Sequence, residues 1–292
     1  MRRVCITILA LLTFGLIAAS VQATEPSEWG VTASADEVAI SYNVYGQGQP
    51  TLVFVHGWSC DSRYWREQVP FFAGQYRVVT LDLAGHGHSG VGRAEYTMQA
   101  FGQDVKAVVK ALQAEKVILI GHSMGGGIIA EAARLMPQRV IGLIGIDTLQ
   151  NVEHPLTVEE MQQMVAPFER DFKAHVQFFV KEMMVPGMDH QLQAWIVQDM
   201  AAAPPTVAIS AFKSYMGQYV TGAAATVFEG IQVPVYCVNA DMWPVDYDAN
   251  RRHMQTIEAM TFADVGHFIM LEKPARFNDL LDKTITKILI RH

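Results

Sequence analysis

The chain has 292 residues, half of them hydrophobic, and a formal charge of −7. That length suits one large α/β domain, or one domain carrying an insertion, and the acidic balance argues against a nucleic-acid partner. Its three cysteines follow no zinc-like spacing, so no metal site is expected.

The first segment reads as an export signal. Met1-Arg2-Arg3 supplies a positive start, residues 4–19 are an almost unbroken apolar run, and Val21-Gln22-Ala23 offers a cleavage site. A bilayer span needs roughly 20 apolar residues, and this run is shorter. The expectation is therefore a cleaved signal peptide over 1–23, a secreted or periplasmic product and no stable membrane insertion afterwards. Loss of Arg2 and Arg3, with no acid removed, takes the formal charge from −7 to −9. Cys60 and Cys237 would remain, each beside or within an apolar run, and are read as buried free thiols.

Along the rest of the chain, short runs rich in Val and Ile alternate with longer amphipathic segments. This is the pattern of a parallel sheet with helical crossovers. Residues 33–45 predict an opening strand or hairpin. Strands are expected at 51–55, 76–81, 116–120, 140–146 and 233–238, with a last one at 261–265. Helices are expected at 61–72, 98–113, 124–136 and, closing the chain, 275–291. Between 149 and 229 no strand pattern occurs. There Met161, Met164, Phe168 and Phe172 recur at helical spacing, Phe178, Phe179, Met183 and Met184 continue the run, and Pro204, Pro205 and Gly222 mark breaks. The segment reads as a helical cap inserted into a core formed by 24–148 and 230–292.

The chemistry is carried by Gly121-His122-Ser123-Met124-Gly125, which leaves a predicted strand and opens a predicted helix. Small residues two before and two after the serine let the chain reverse sharply and lift the hydroxyl clear of the backbone. The same turn puts Ser123 at a helix N-terminus, where free N–H groups favour developing negative charge.

Three further motifs stand in order around this elbow: His56-Gly57-Trp58, the run from Asp82 through Gly85-His86-Gly87-His88 to Ser89, and Gly266-His267-Phe268. With them the chain resembles the α/β-hydrolase superfamily, in its serine-hydrolase branch with a helical cap. The resemblance implies a mostly parallel central sheet with helices on both faces and a site at the strand C-termini. It implies Ser123 as nucleophile and His267, on a Gly-flanked loop after the last predicted strand, as the base that a serine hydroxyl requires. It also implies backbone N–H groups of Trp58 and Met124 as an oxyanion hole. The third member departs from the family pattern. Alignment on Pro244 puts Trp243 where the acid usually stands. Asp241, two residues before it, is the preferred acid, with Asp147 as the alternative and Asp246 third.

The expected function is hydrolysis of a small, fairly apolar carboxylic ester through an acyl-enzyme, with a small-molecule substrate and no metal or organic cofactor. Lactonase, perhydrolase or carbon–carbon bond hydrolase chemistry on the same scaffold, or a ligand sensor with little turnover, remain alternatives. Epoxide hydrolases and haloalkane dehalogenases are disfavoured because they carry an aspartate where Ser123 stands.

Overall fold

The computed structural model describes residues 25–291. The expected signal segment, 1–23, lies outside them. The chain opens on a hairpin of β1 (Glu28–Ala33) and β2 (Ala39–Tyr45), followed by β3 (Thr51–Val55), α1 (Val69–Phe72), β4 (Arg77–Leu81), α2 (Met98–Ala111), β5 (Val117–His122), α3 (Gly125–Leu135) and β6 (Val140–Ile146). Five helices come next: α4 (Val158–Arg170), α5 (Phe172–Lys181), α6 (His190–Met200), α7 (Pro205–Thr221) and α8 (Ala223–Thr226). The chain closes with β7 (Val235–Ala240), α9 (Tyr247–Arg251), β8 (Ile257–Phe262), α10 (Ile269–Glu272) and α11 (Pro274–Leu289). The strands form one sheet in the order β1-β2-β4-β3-β5-β6-β7-β8. β2 runs antiparallel to β1 and β4, and every other pairing is parallel. This is the α/β architecture expected from the alternation of strands and helices.

The central strands β3, β5, β6 and β7 are buried at every position. Helices cover both faces of such a strand, so its sequence reads as a continuous apolar run rather than an alternation. Helix starts are set by short polar side chains. Thr97 caps α2, Thr157 makes a reciprocal capping box with Glu160 on α4, and Asp171 and Asp189 cap α5 and α6. Helix α7 ends at Gly222, whose φ of 77° suits a left-handed terminus.

Three sequence expectations are adjusted. The helix expected over 61–72 is a short 3-10 turn, Ser62–Trp65, followed by α1. Asp61 caps the turn, and Pro70, which lacks an N–H to continue a helix begun before it, stands instead in the first turn of a new one that opens at Val69. The opening hairpin starts at Glu28, ahead of the expected 33. The last strand spans 257–262 and not 261–265. It lies at the sheet edge, where its half-exposed Glu258, Ala259 and Met260 weaken the apolar signal. Among the described residues, no helix is long and apolar enough to cross a membrane.

The helices between β6 and β7 are tied to the sheet's C-terminal loops. The Trp58 Nε1–H donates to Ala208 O at 2.7 Å, Tyr96 N–H to Ser210 Oγ at 2.9 Å, and His267 N–H to Met183 O at 2.9 Å. Each bond joins this helical layer to a loop that carries site residues or stands next to one.

Candidate active site

The strands β3, β5 and β6 lie side by side, so the loops leaving their C-terminal ends converge, and the loop after β8 reaches back over them. Ser123 occupies the turn between β5 and α3 with φ of 54°, a left-handed conformation that non-glycine residues seldom hold. The turn is locked by Ser123 N–H donating to Ile146 O at 3.0 Å and Gly126 N–H donating to Ser123 O at 2.9 Å. The flanking glycines have a steric cause. A Cβ on Gly121 would lie 2.3 Å from Gly125 O, and one on Gly125 would lie 2.8 Å from Val55 O. The small residues required by the sequence motif are thus imposed by backbone packed against backbone.

His267 is buried, and its Nδ1 lies 2.5 Å from Oδ2 of Asp147. Asp147 follows β6 directly and has φ of 45°. Its side chain is fully buried, and its second oxygen accepts Ala240 N–H at 2.9 Å and Gln150 Nε2 at 3.4 Å. The neighbouring chain is clamped by a reciprocal pair between Thr148 and Asn239, at 3.2 and 3.1 Å. Of the three aspartates considered from sequence, the structure therefore brings Asp147 to His267. Asp241, the preferred one, is exposed, and its backbone N–H bonds Phe262 O. Asp246 caps α9 by accepting Ala249 N–H. The physical reason is strand adjacency: β6 lies beside β5, and its first loop residue is already under His267.

The His267 loop is held from three sides. Glu272 accepts Gly266 N–H at 3.0 Å and Phe268 N–H at 3.3 Å, bracketing the histidine. Burial pushes the Glu272 carboxyl above its ordinary range. Met183 O takes the His267 N–H, and the His267 carbonyl accepts His122 Nε2–H at 3.0 Å. Burial, reinforced by the His267 ring, holds His122 well below its ordinary pKa, so it stays neutral in this role. Trp243 packs edge-on against the His267 ring at 5.8 Å between centroids. In the sequence Met183 stands out only as part of the apolar run of the cap, and Glu272, outside every expected element, carries no signal.

Trp58, Met124, Ser123 and His267 line one cavity of about 110 Å³. Neither the Trp58 N–H nor the Met124 N–H has a hydrogen-bond acceptor among the described residues. Gly57 permits the close approach of this loop to the elbow, since a Cβ there would lie 3.2 Å from Ser123 Cβ. The other motif histidines serve the scaffold. His56 accepts Leu83 N–H at 3.0 Å, His86 bonds Ala84 O at 3.0 Å, and His88 stands 3.3 Å from Asp82. Cys60 and Cys237 are both buried, and burial raises both thiols, Cys237 to about 12, which leaves them poor nucleophiles.

Comparison with known proteins agrees with this architecture. Over 108 residues the chain is 36% identical to a pimeloyl-[acyl-carrier protein] methyl ester esterase of Edwardsiella ictaluri, a stretch covering 37% of this chain and 40% of that one. The match thus spans about two fifths of that relative's length. To the enzyme of the same name from Aeromonas hydrophila it is 30% identical over 190 residues, covering 60% of this chain and 70% of the other. Among solved structures, a thermophilic esterase from Thermogutta terrifontis superposes with a TM-score of 0.77 at 21% identity, covering 90% of this chain and 99% of that one, a likeness of fold. Residues 50–195 match the alpha/beta hydrolase fold family, half of the chain and the half that holds the elbow, so the chain belongs to that family.

Proposed function

We propose that this chain is a serine hydrolase that cleaves a small, fairly apolar carboxylic ester through an acyl-enzyme. The observation that carries the reading is the 2.5 Å contact of His267 with buried Asp147, at the edge of a cavity that Ser123 also lines. Asp147 fixes the tautomer with the proton on Nδ1, which leaves Nε2 as the acceptor a serine hydroxyl needs. Ser123 Oγ attacks the acyl carbon while its proton passes to His267 Nε2. The unpaired N–H groups of Trp58 and Met124 receive the charge that develops on the carbonyl oxygen. The acyl carbon–alkoxy oxygen bond then breaks as His267 returns the proton to the leaving alcohol. Water repeats the cycle, giving the free acid and restoring Ser123.

The test uses a fluorophosphonate probe and p-nitrophenyl butanoate on the whole protein. Labelling at Ser123, with hydrolysis lost in a folded Ser123→Ala variant, supports the reading. Undiminished turnover in that variant overturns it.

A further inference from the structure

A second space adjoins the Ser123 cavity. It measures about 690 Å³, within the range of sites for drug-sized ligands. Met164, Tyr215 and Met216 line both spaces, so the two meet there. The larger one is also lined by Trp243, whose ring packs against His267.

The two spaces differ in chemistry. The inner chamber is walled by aromatic rings and thioethers, including Trp58, Phe179, Phe212 and Met200. Apart from Ser123 and the N–H groups assigned to the acyl oxygen, it offers few polar contacts: the indole N–H of Trp58 is spent on Ala208 O, and His122 Nε2 on His267 O. The outer vestibule presents Gln150, Asn151, His154, Tyr219 and the carboxylate of Asp246. Among the described residues that line it, none is lysine or arginine.

Direction follows from the proton. His267 must protonate the departing oxygen, so the alcohol leaves past His267, which lines the inner chamber and packs against Trp243 on the wall of the vestibule. The acyl chain is left with the inner chamber. An apolar cavity of about 150 Å³ holds a benzene molecule, so 110 Å³ admits an acyl group of roughly four or five non-hydrogen atoms. A carboxylate or phosphate on the alcohol would meet Asp246, while Arg252, which feels the Asp246 charge from outside the vestibule lining, is itself paired with Glu153; like-charge juxtaposition is unfavourable. We infer that the site divides its substrate, seating a short apolar acyl group in the inner chamber and a larger, uncharged, hydrogen-bonding alcohol in the outer vestibule. The inference rests on the serine-hydrolase reading above.

The experiment measures kcat/KM on the purified protein for two ester series, with Ser123 titrated by the fluorophosphonate in the same preparation. One series lengthens the acyl chain from acetyl to decanoyl on p-nitrophenol. The other holds butanoyl constant and varies the alcohol through methyl, benzyl, 4-(hydroxymethyl)benzyl and 4-carboxybenzyl. Expected are a fall of about tenfold or more between butanoyl and octanoyl, retained or higher rates as the neutral alcohol grows, and a drop for the carboxylate. Phe179→Ala should raise the octanoyl-to-butanoyl ratio about tenfold, and Met200→Ala serves the same purpose if that protein does not fold. Asp246→Asn, which keeps a helix-capping side chain, should lift the penalty on the carboxylate. A titratable Ser123 with a flat or rising acyl profile, or folded chamber variants with an unchanged ratio, overturns the division of the substrate alone. Absence of both labelling and turnover overturns the serine-hydrolase reading, and this inference with it.

Discussion

Two aspartates compete for the same role, and their environments separate them. Asp147 is buried with one oxygen on His267 and the other on Ala240 N–H, whereas Asp241 faces solvent. In Asp147→Asn the amide oxygen can keep the Ala240 bond, but its N–H₂ then faces Nδ1 and drives the imidazole proton onto Nε2. That tautomer cannot accept from Ser123. A comparable change in another serine triad lowers turnover by about four orders of magnitude, and a loss of that order is expected here with folding preserved. Asp241→Asn should stay within about twofold of the parent, as surface changes usually do. Esterase kinetics on both variants, alongside their circular dichroism, decide the matter. Collapse of Asp241→Asn with an active Asp147→Asn would return the role to Asp241.

At the scale of elements, a buried ionic network ties the loop after β4 to α2 and to the end of β1. Asp104 on α2 has a fully buried side chain, accepts Arg93 at 2.6 Å and Ser34 Oγ at 2.5 Å, and its second oxygen accepts Ala84 N–H at 3.1 Å. One carboxylate thus joins α2, the end of β1 and the loop after β4. Removing one partner of a buried pair leaves the other charge uncompensated and costs about 3–5 kcal/mol. Asp104→Ala should lose stability of that order in urea unfolding. Asp36→Ala, which removes the half-exposed partner of the same arginine, should lose about 0–1 kcal/mol. Equal losses would show that the network is not organised around Asp104.

At the scale of the whole molecule, buried neutral histidines tie stability to pH. Burial lowers His86 to about 3 and shifts His56 and His122 in the same direction. In the unfolded chain each titrates near about 6.5. Between these values the unfolded state binds more protons, so stability is full above about pH 6.5 and is lost as pH falls toward 3. Buried carboxylates such as Glu272, pushed upward, act in the opposite direction, so the comparison is made between variants. The urea midpoint of the parent should fall more steeply from pH 7.5 to 4.5 than that of His86→Gln, whose amide can still donate to Ala84 O. Parallel falls would remove His86 from the account.

The order of strands and helices, the elbow at Ser123 and the loop of His267 are legible in the residues alone. These are local matters: continuous apolar runs fit strands covered on both faces, and small residues permit a turn whose backbone atoms nearly touch. Chain order does not separate Asp147, Asp241 and Asp246, since all three follow Ser123 and precede His267, and the preference for Asp241 rests on its nearness to the family's usual position. Packing separates them in space: β6 lies beside β5, and the first residue past β6, Asp147, contacts His267. The same holds for Glu272, Met183 O and the two joined cavities. Each depends on distant segments packing together, which residue spacing along one chain does not encode. The edge strand β8 and the broken segment at 61–72 depart from the sequence expectation for a smaller reason, since partial exposure and a single proline weaken the periodicity that marks such elements.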